Sequence, residues 1–432
     1  MINHIDIRKE WEYKRNVNNT ARETLDASFR LLSTMYHRLK DQAKHLVLRR
    51  KSSWEAVCYL LIRRRRRQEE HPGAFHRKQQ SKILYHAWSS LSYRTNEWNR
   101  YARRVAHIRS TSWIDTTQHM DDFEFLSAFR FTRSDLHRVV NALAWPPLRT
   151  RTSNNRYRTS AELTTLIVLR RLASPCRWTD LVKLFRMHPS HMSEIFWEGL
   201  RRFLRVREHM LIGELDGTFV AQRAQKYATT INEKCPALDR CVAFMDGTVI
   251  GIARPGKNDE QNAAYNGHKR KHALKYQTLT TPDGLILHAH GPIAGCRHDW
   301  ALYVRSNIEQ QLREVLSVGG CQYYVHGDSG YNRRDVVDVP FQGAHLSGAQ
   351  LAANRTTSSV RVTVEWSYKD VKLYWTVVDY KRKMRAGESA VGLLYIGAML
   401  MHNIRNCLYP GTVSQYFKCS PPSLEEYLYH KE

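Results

Sequence analysis

Four acidic residues in the second half of the chain stand where a carboxylate is costly unless it binds something. Asp246 leaves the apolar run Cys241-Val242-Ala243-Phe244-Met245 and is followed by Gly247-Thr248. Asp328 follows a second strand-like run, Gln322–Val325, through His326-Gly327. Asp299 opens a helical stretch, and Glu365 lies at the edge of the stripe Val364, Tyr368, Val371 and Trp375. A carboxylate at the end of a buried strand loses its hydration and needs a compensating partner. Clustered carboxylates hold hard divalent cations, and Mg²⁺ (or Mn²⁺) suits them because it takes oxygen ligands and keeps exchangeable waters. Two such ions roughly 3.5–4 Å apart activate an attacking water or 3′-OH and stabilise the leaving oxygen. Each acid also has an ordinary reading. Asp246-Gly247 and Asp328-Ser329-Gly330 could be turns, Asp299 a helix N-cap, and Glu365 an i,i+4 partner of Lys369.

Joint placement separates the two readings, and it depends on the elements that carry the acids. Alternation predicts strands at Cys241–Met245, Leu274–Thr280 and Leu285–His290, the last two joined by the turn Pro282-Asp283-Gly284. A helix then reads Asp299–Leu312, a strand Gln322–Val325, and a helix Arg361–Trp375. Three antiparallel strands, a helix and a parallel fourth strand form the ribonuclease-H-like arrangement, an α/β fold with a mixed sheet and flanking helices. That fold would occupy residues 236–410, with 411–432 as a tail, and would bring Asp246, Asp328 and Glu365 to one site. Asp216-Gly217-Thr218 repeats the triplet after Asp246 but follows no apolar strand, so it reads as a helix cap.

Basic residues surround this site in the sequence. Arg254 and Lys257 lie after the first strand, followed by His268, Lys269, Arg270, Lys271 and Lys275. Arg361, Lys369 and Lys372 flank Glu365. Such a surface would hold DNA phosphates beside the acids. His288, His290 and His298 invite a zinc reading, which strand alternation and the lack of a fourth soft ligand disfavour.

The whole chain is basic, with 67 Lys+Arg against 41 Asp+Glu in 432 residues, a formal charge of +26. The partner such a field favours is nucleic acid rather than a membrane surface. The longest uncharged apolar stretch, around Val391–Met401, is short for a membrane span. The opening residues lack the apolar core of a secretory signal, and eight Cys without a C-x-x-C pair fit a reducing compartment. Residues 1–115 read as a basic, partly helical extension carrying the run Arg63–Arg67, which suggests nuclear import or phosphate contact. Residues 116–235 read as all-helical. Thr159 and Glu162 have capping-box spacing, and a helix over Thr179–Phe185 precedes one beginning after Pro189 with Ser190 as cap, the outline of a helix-turn-helix.

The chain resembles PIF/Harbinger-type transposases and nucleases derived from them. The resemblance rests on Phe244-Met-Asp-Gly-Thr248, Arg254-Pro255, Tyr265-Asn-Gly-His-Lys-Arg270, His272-Ala-Leu-Lys275-Tyr-Gln277, Arg297-His-Asp299, Gly327-Asp328 with Tyr331, and Val360-Arg-Val-Thr-Val-Glu365-Trp366. It runs from roughly Phe123 to Tyr427. It implies a metal-dependent DDE endonuclease and strand transferase, with Asp246, Asp328 and Glu365 as the triad. Asp299 would be a fourth acid near the metals. Whether Asp299 or Asp328 is the second triad member stays open at this stage; Asp328 is preferred because it ends the fourth strand. The resemblance further implies cutting at terminal inverted repeats, transfer of the 3′-OH strand to target DNA, a Myb/SANT-like DNA-binding partner, a nuclear location and self-association. Residues 1–110 match nothing in that family, and Trp300 stands where its members carry a small residue. The alternative is a domesticated DNA-binding or chromatin protein that keeps the fold without the chemistry.

Overall fold

The structure is a computed structural model and describes residues 116–143, 148–152, 155–381, 384–386 and 390–429. The basic extension and its Arg run lie outside the described residues.

The N-terminal part begins with α1 (Asp122–Phe129) and α2 (Leu136–Leu143). Asp121 and Glu124 close a capping box on α1. A hairpin follows, β1 (Leu148–Thr152) and β2 (Asn155–Thr159), so the region is not all-helical as the sequence suggested. Its strands are Arg- and Thr-rich rather than apolar, and therefore carry no alternation signal. Next come α3 (Ala161–Ala173), a 3₁₀ turn into the short α4 (Val182–Phe185), and α5 (Pro189–Arg207). Two caps differ from expectation by one or two residues. Ser160, not Thr159, caps α3 by accepting from the Leu163 N–H, and His188, not Ser190, caps α5 through its ring nitrogen. Pro189 takes the first helical turn, where its missing N–H costs nothing.

The helix-turn-helix outline of α3 to α5 is present, and Met192, Ile195, Phe196, Leu200 and Phe203 are buried at helical spacing. The core these residues enter extends past the helical region. Leu200 packs where Gly397 of a later helix has no side chain; a Cβ there would lie 2.7 Å from the Leu200 methyl. One apolar cluster therefore runs from Phe125 to Leu428.

After α6 (Gly217–Lys234) the sheet begins with β3 (Cys241–Gly251). Asp216 caps α6 through the Phe219 N–H, as its sequence context indicated. Then come α7 (Asn258–Ala264), β4 (Tyr265–Asn266), β5 (Lys271–Thr280), β6 (Ile286–Ala294), α8 (Asp299–Ser306) and α9 (Ile308–Val315). The helix expected over Asp299–Leu312 breaks at Asn307, which adopts a left-handed conformation. The pair β7 (Ser317–Val318) and β8 (Cys321–Gln322) precedes β9 (Tyr324–Gly327) and β10 (Val337–Asp338). The chain closes with α10 (Gly348–Arg361), α11 (Thr363–Tyr374), α12 (Val391–Leu408), α13 (Thr412–Phe417) and α14 (Leu424–Tyr429). No helix among the described residues is long and apolar enough to cross a membrane.

The main sheet runs β6-β5-β3-β9-β10, with β4 also on β5. β3, β5 and β6 are antiparallel, and β9 joins β3 in parallel. This mixed sheet with flanking helices is the strand order inferred from the sequence. Residues 241–245 are buried without alternation, the pattern of a strand covered on both faces, and Phe244 stacks on Phe417 of α13. The β5–β6 turn is anchored deep in the fold. Buried Asp283 accepts from the Tyr227 hydroxyl at 2.6 Å, from Thr281 Oγ1 and from the Leu285 N–H. Asn403 of α12 bonds both backbone groups of Ile286 and so satisfies β6 from its open side.

Candidate active site

Burial along β3 breaks at Asp246 and Gly247. Parallel pairing sets Met245 beside Gly327, so Asp246 and Asp328 stand at the same level; Asp328 follows the end of β9, whereas β3 does not end at Met245 as the sequence suggested but runs through Asp246 to Gly251. Asp299, at the first turn of α8, reaches the same place. A Cβ on Gly247 would sit 2.0 Å from Asp299 Oδ1 and 2.8 Å from its Cγ. The glycine after Asp246 is thus required by the close approach of the Asp299 carboxylate to the β3 backbone. Gly330 borders the other side, since a Cβ there would lie 3.0 Å from Asp328 Oδ1 and 3.7 Å from Asp299 Oδ2. The Gly330 N–H donates to Asp328 Oδ1 at 2.8 Å and orients that carboxylate.

The electrostatics follow from this crowding. Burial pushes the Asp246 carboxyl up to about 7; Arg361 pulls it back, while Asp328 and Asp299 raise it further. Tyr331 lies beneath the three acids. Its hydroxyl titrates well above the usual range because it is buried and then because Asp299, Asp246 and Asp328 oppose a further negative charge.

Two cations enter the cluster. Lys275 Nζ lies 2.9 Å from Asp299 Oδ1 and donates to the Arg297 carbonyl at 3.1 Å. Arg361 Nη1 lies 3.6 Å from Asp246 Oδ1. Both residues read as DNA contacts in the sequence; in the fold both turn inward onto the acids. Tyr368 of α11 is a further contributor that sequence spacing marked only as an apolar position. Its hydroxyl donates to the Asp246 carbonyl at 3.1 Å and pairs with Thr278 across the sheet. Trp300, the bulky departure after Asp299, stacks on Tyr303 at 5.0 Å and shares the cluster behind the site.

Glu365 stands apart. It lies three residues before Tyr368 on α11, so that helix presents it close to the side that meets Asp246. Its side chain is exposed and forms no ion pair among the described residues. The structure thus brings Asp246, Asp299 and Asp328 together and leaves Glu365 on the adjoining surface.

The other predicted basic residues form a solvent-facing border. Arg254 bonds Gln261, and Lys257 pairs with Glu260. His268, Lys269, Arg270 and Lys369 are exposed. Lys271 and Lys372 are partly buried, and both titrate below the usual lysine range: burial acts first, Lys372, Lys381 and Lys269 then repel Lys271, and Lys269 repels Lys372. Asp379 opposes these shifts at both lysines. Lys381 was not marked from the sequence; its stem lies against Gly251, where a Cβ would come within 3.0 Å.

Among the described residues no three His, Cys, Asp or Glu side chains already close into an ion site. The donor chemistry nevertheless fits a hard divalent cation. The three Asp supply only oxygen, and Asp328 and Asp299 both repel charge on Asp246, which a bound cation would relieve.

Residues 245–403 match a family model described as DDE superfamily endonuclease, less than half of the chain. Asp246, Asp299, Asp328 and Glu365 all fall within the match. No curated protein and no solved structure matches.

Proposed function

We propose that the chain is a divalent-metal-dependent DNA endonuclease of the transposase type. The observation that carries this reading is the coupled cluster of Asp246, Asp299 and Asp328 where β9 ends beside the middle of β3, within the region matching the endonuclease family. Asp246, Asp328 and Glu365 would hold Mg²⁺ or Mn²⁺, with Asp299 as the fourth acid. A bound cation of this kind supplies charge to the attacking and leaving oxygens of phosphodiester cleavage, and paired ions do so at both ends.

The chain's own residues prepare the site. Lys275 fixes one oxygen of Asp299, and Tyr368 anchors the β3 backbone at Asp246. Arg361 offsets charge on Asp246, holding the acids together before a cation enters. Lys269, Lys271, Lys372 and Lys381, facing one another with Asp379 as the opposing acid, give a DNA phosphate a place to relieve their repulsion.

Within this reading, the Harbinger-type resemblance supports cutting at terminal inverted repeats, transfer of the 3′-OH strand to target DNA, a nuclear location and a Myb/SANT-like partner. The test is nicking of supercoiled plasmid by the purified protein in Mg²⁺ or Mn²⁺ against EDTA. Asp246→Asn and Glu365→Gln are the paired variants. Metal-dependent nicking lost in both is the expected result; nicking that persists in EDTA or in either variant would overturn the assignment.

A further inference from the structure

A second concave site lies beside the acids, between the β9/β10 edge and α10. It is a cleft of about 290 Å³ whose lining includes Tyr324, His326, Arg333, Phe341, Asn354 and Thr357. That is the lower end of ligand pockets, which run from roughly 300 to 1,000 Å³. It has room for one ring system.

His326 is fully buried, and its two ring nitrogens are treated differently. Nδ1 lies 2.9 Å from Asp338 Oδ2, its register partner on β10. Nε2 is buried with no hydrogen-bond partner among the described residues. At the rim Phe341 is 40% exposed, yet Asn354 clasps both of its backbone groups, at 2.8 and 2.9 Å. The Arg333 guanidinium lies over the Phe341 ring at 5.0 Å. The planar Phe341 ring at the rim, beside a guanidinium, suits a flat aromatic ring. The pair does not suit a bare phosphate, because Asp338 already neutralises Arg333 at 3.0 Å and would repel an anion.

The cleft also adjoins the reaction site. Gln342 Nε2 donates to the Ser329 carbonyl at 3.0 Å, tying the Phe341 loop to the turn that carries Asp328. We infer that this cleft receives one unstacked nucleobase of the DNA strand that the acids cut. The inference rests on the nuclease reading and adds to it a pocket that fixes the strand's position.

The test uses the full chain and a labelled duplex with a single-stranded 3′ extension. Abasic sites are placed one position at a time along the extension, and affinity is read by fluorescence anisotropy in EDTA. Base–aromatic stacking predicts that one position weakens wild-type binding by roughly five- to a hundredfold when its base is removed. In Phe341→Ala that penalty should vanish while affinity for the fully paired duplex is unchanged. Phe341 is a surface residue, so its variant should fold, which its melting curve will verify. Duplex binding with no abasic penalty at any position, or the same penalty in wild type and Phe341→Ala, would overturn the pocket and leave the nuclease reading intact. No binding to any DNA would overturn both.

Discussion

Removing the charge of Asp246 should stabilise the metal-free protein, although Asp246 is proposed as a metal ligand. Its carboxyl titrates near 7 in the fold against 3.8 for an ordinary aspartate. A difference of about three units corresponds to about 4 kcal/mol between the ionised and neutral forms. The sign follows from linkage. A raised carboxyl pKa means that the fold prefers the proton, so the unfolded chain ionises first as pH rises from about 4. Stability therefore falls through the interval from about 4 to 7, and the full cost is present above it. Arg361 is already counted, because a value near 7 is what remains after Arg361 has lowered it.

Asn mimics the neutral carboxyl in shape. Asp246→Asn in EDTA should therefore gain about 2–4 kcal/mol at pH 8, on the order of 3–6 °C in melting temperature for a unit of this size. By pH 5 the gain should shrink to less than half. Mg²⁺ should raise the melting temperature of the wild type and not of the variant. The assay is a thermal melt of both proteins across this pH range, with and without the metal. A variant that melts at or below wild type at pH 8, or a gap that does not change with pH, would refute the claim that the ionised Asp246 costs the metal-free fold stability despite Arg361.

Gly247→Ala puts a methyl group 2.0 Å from Asp299 Oδ1, so it should abolish nicking and cost about 1–3 kcal/mol, read by plasmid assay and melt. Lys372→Gln should lower DNA affinity and reduce the salt dependence of log K by about 0.9, measured by a salt titration of binding, while the melting temperature holds or rises because a repelled charge has gone. Tyr227→Phe removes a donor from buried Asp283 and should cost about 1–3 kcal/mol by denaturant unfolding, with nicking unchanged per folded molecule.

Asp246 was legible because a single carboxylate after Cys241–Met245 breaks an apolar run that a two-sided strand requires, even though the strand itself continues to Gly251. What surrounds Asp246 was less so, because it depends on register rather than spacing. Lys275 and Arg361 look like DNA contacts beside other basic residues, and only the folded chain sets them on Asp299 and Asp246. α10 buries only Thr357 and Val360, too little to leave a stripe in the sequence, although it walls the nucleobase cleft. His326 and Asp338 are twelve residues apart and become partners only through the parallel pairing of β9 and β10. The two sites share this origin. β9 leads from the cleft, through His326, to the acids, through Asp328, with Gly327 alone between them. A strand that fixes both positions would hold a base and the bond to be cut at a set distance from one another. A shift of register in β9 should therefore disturb recognition and cleavage together, whereas a change at the Phe341 rim should disturb recognition alone.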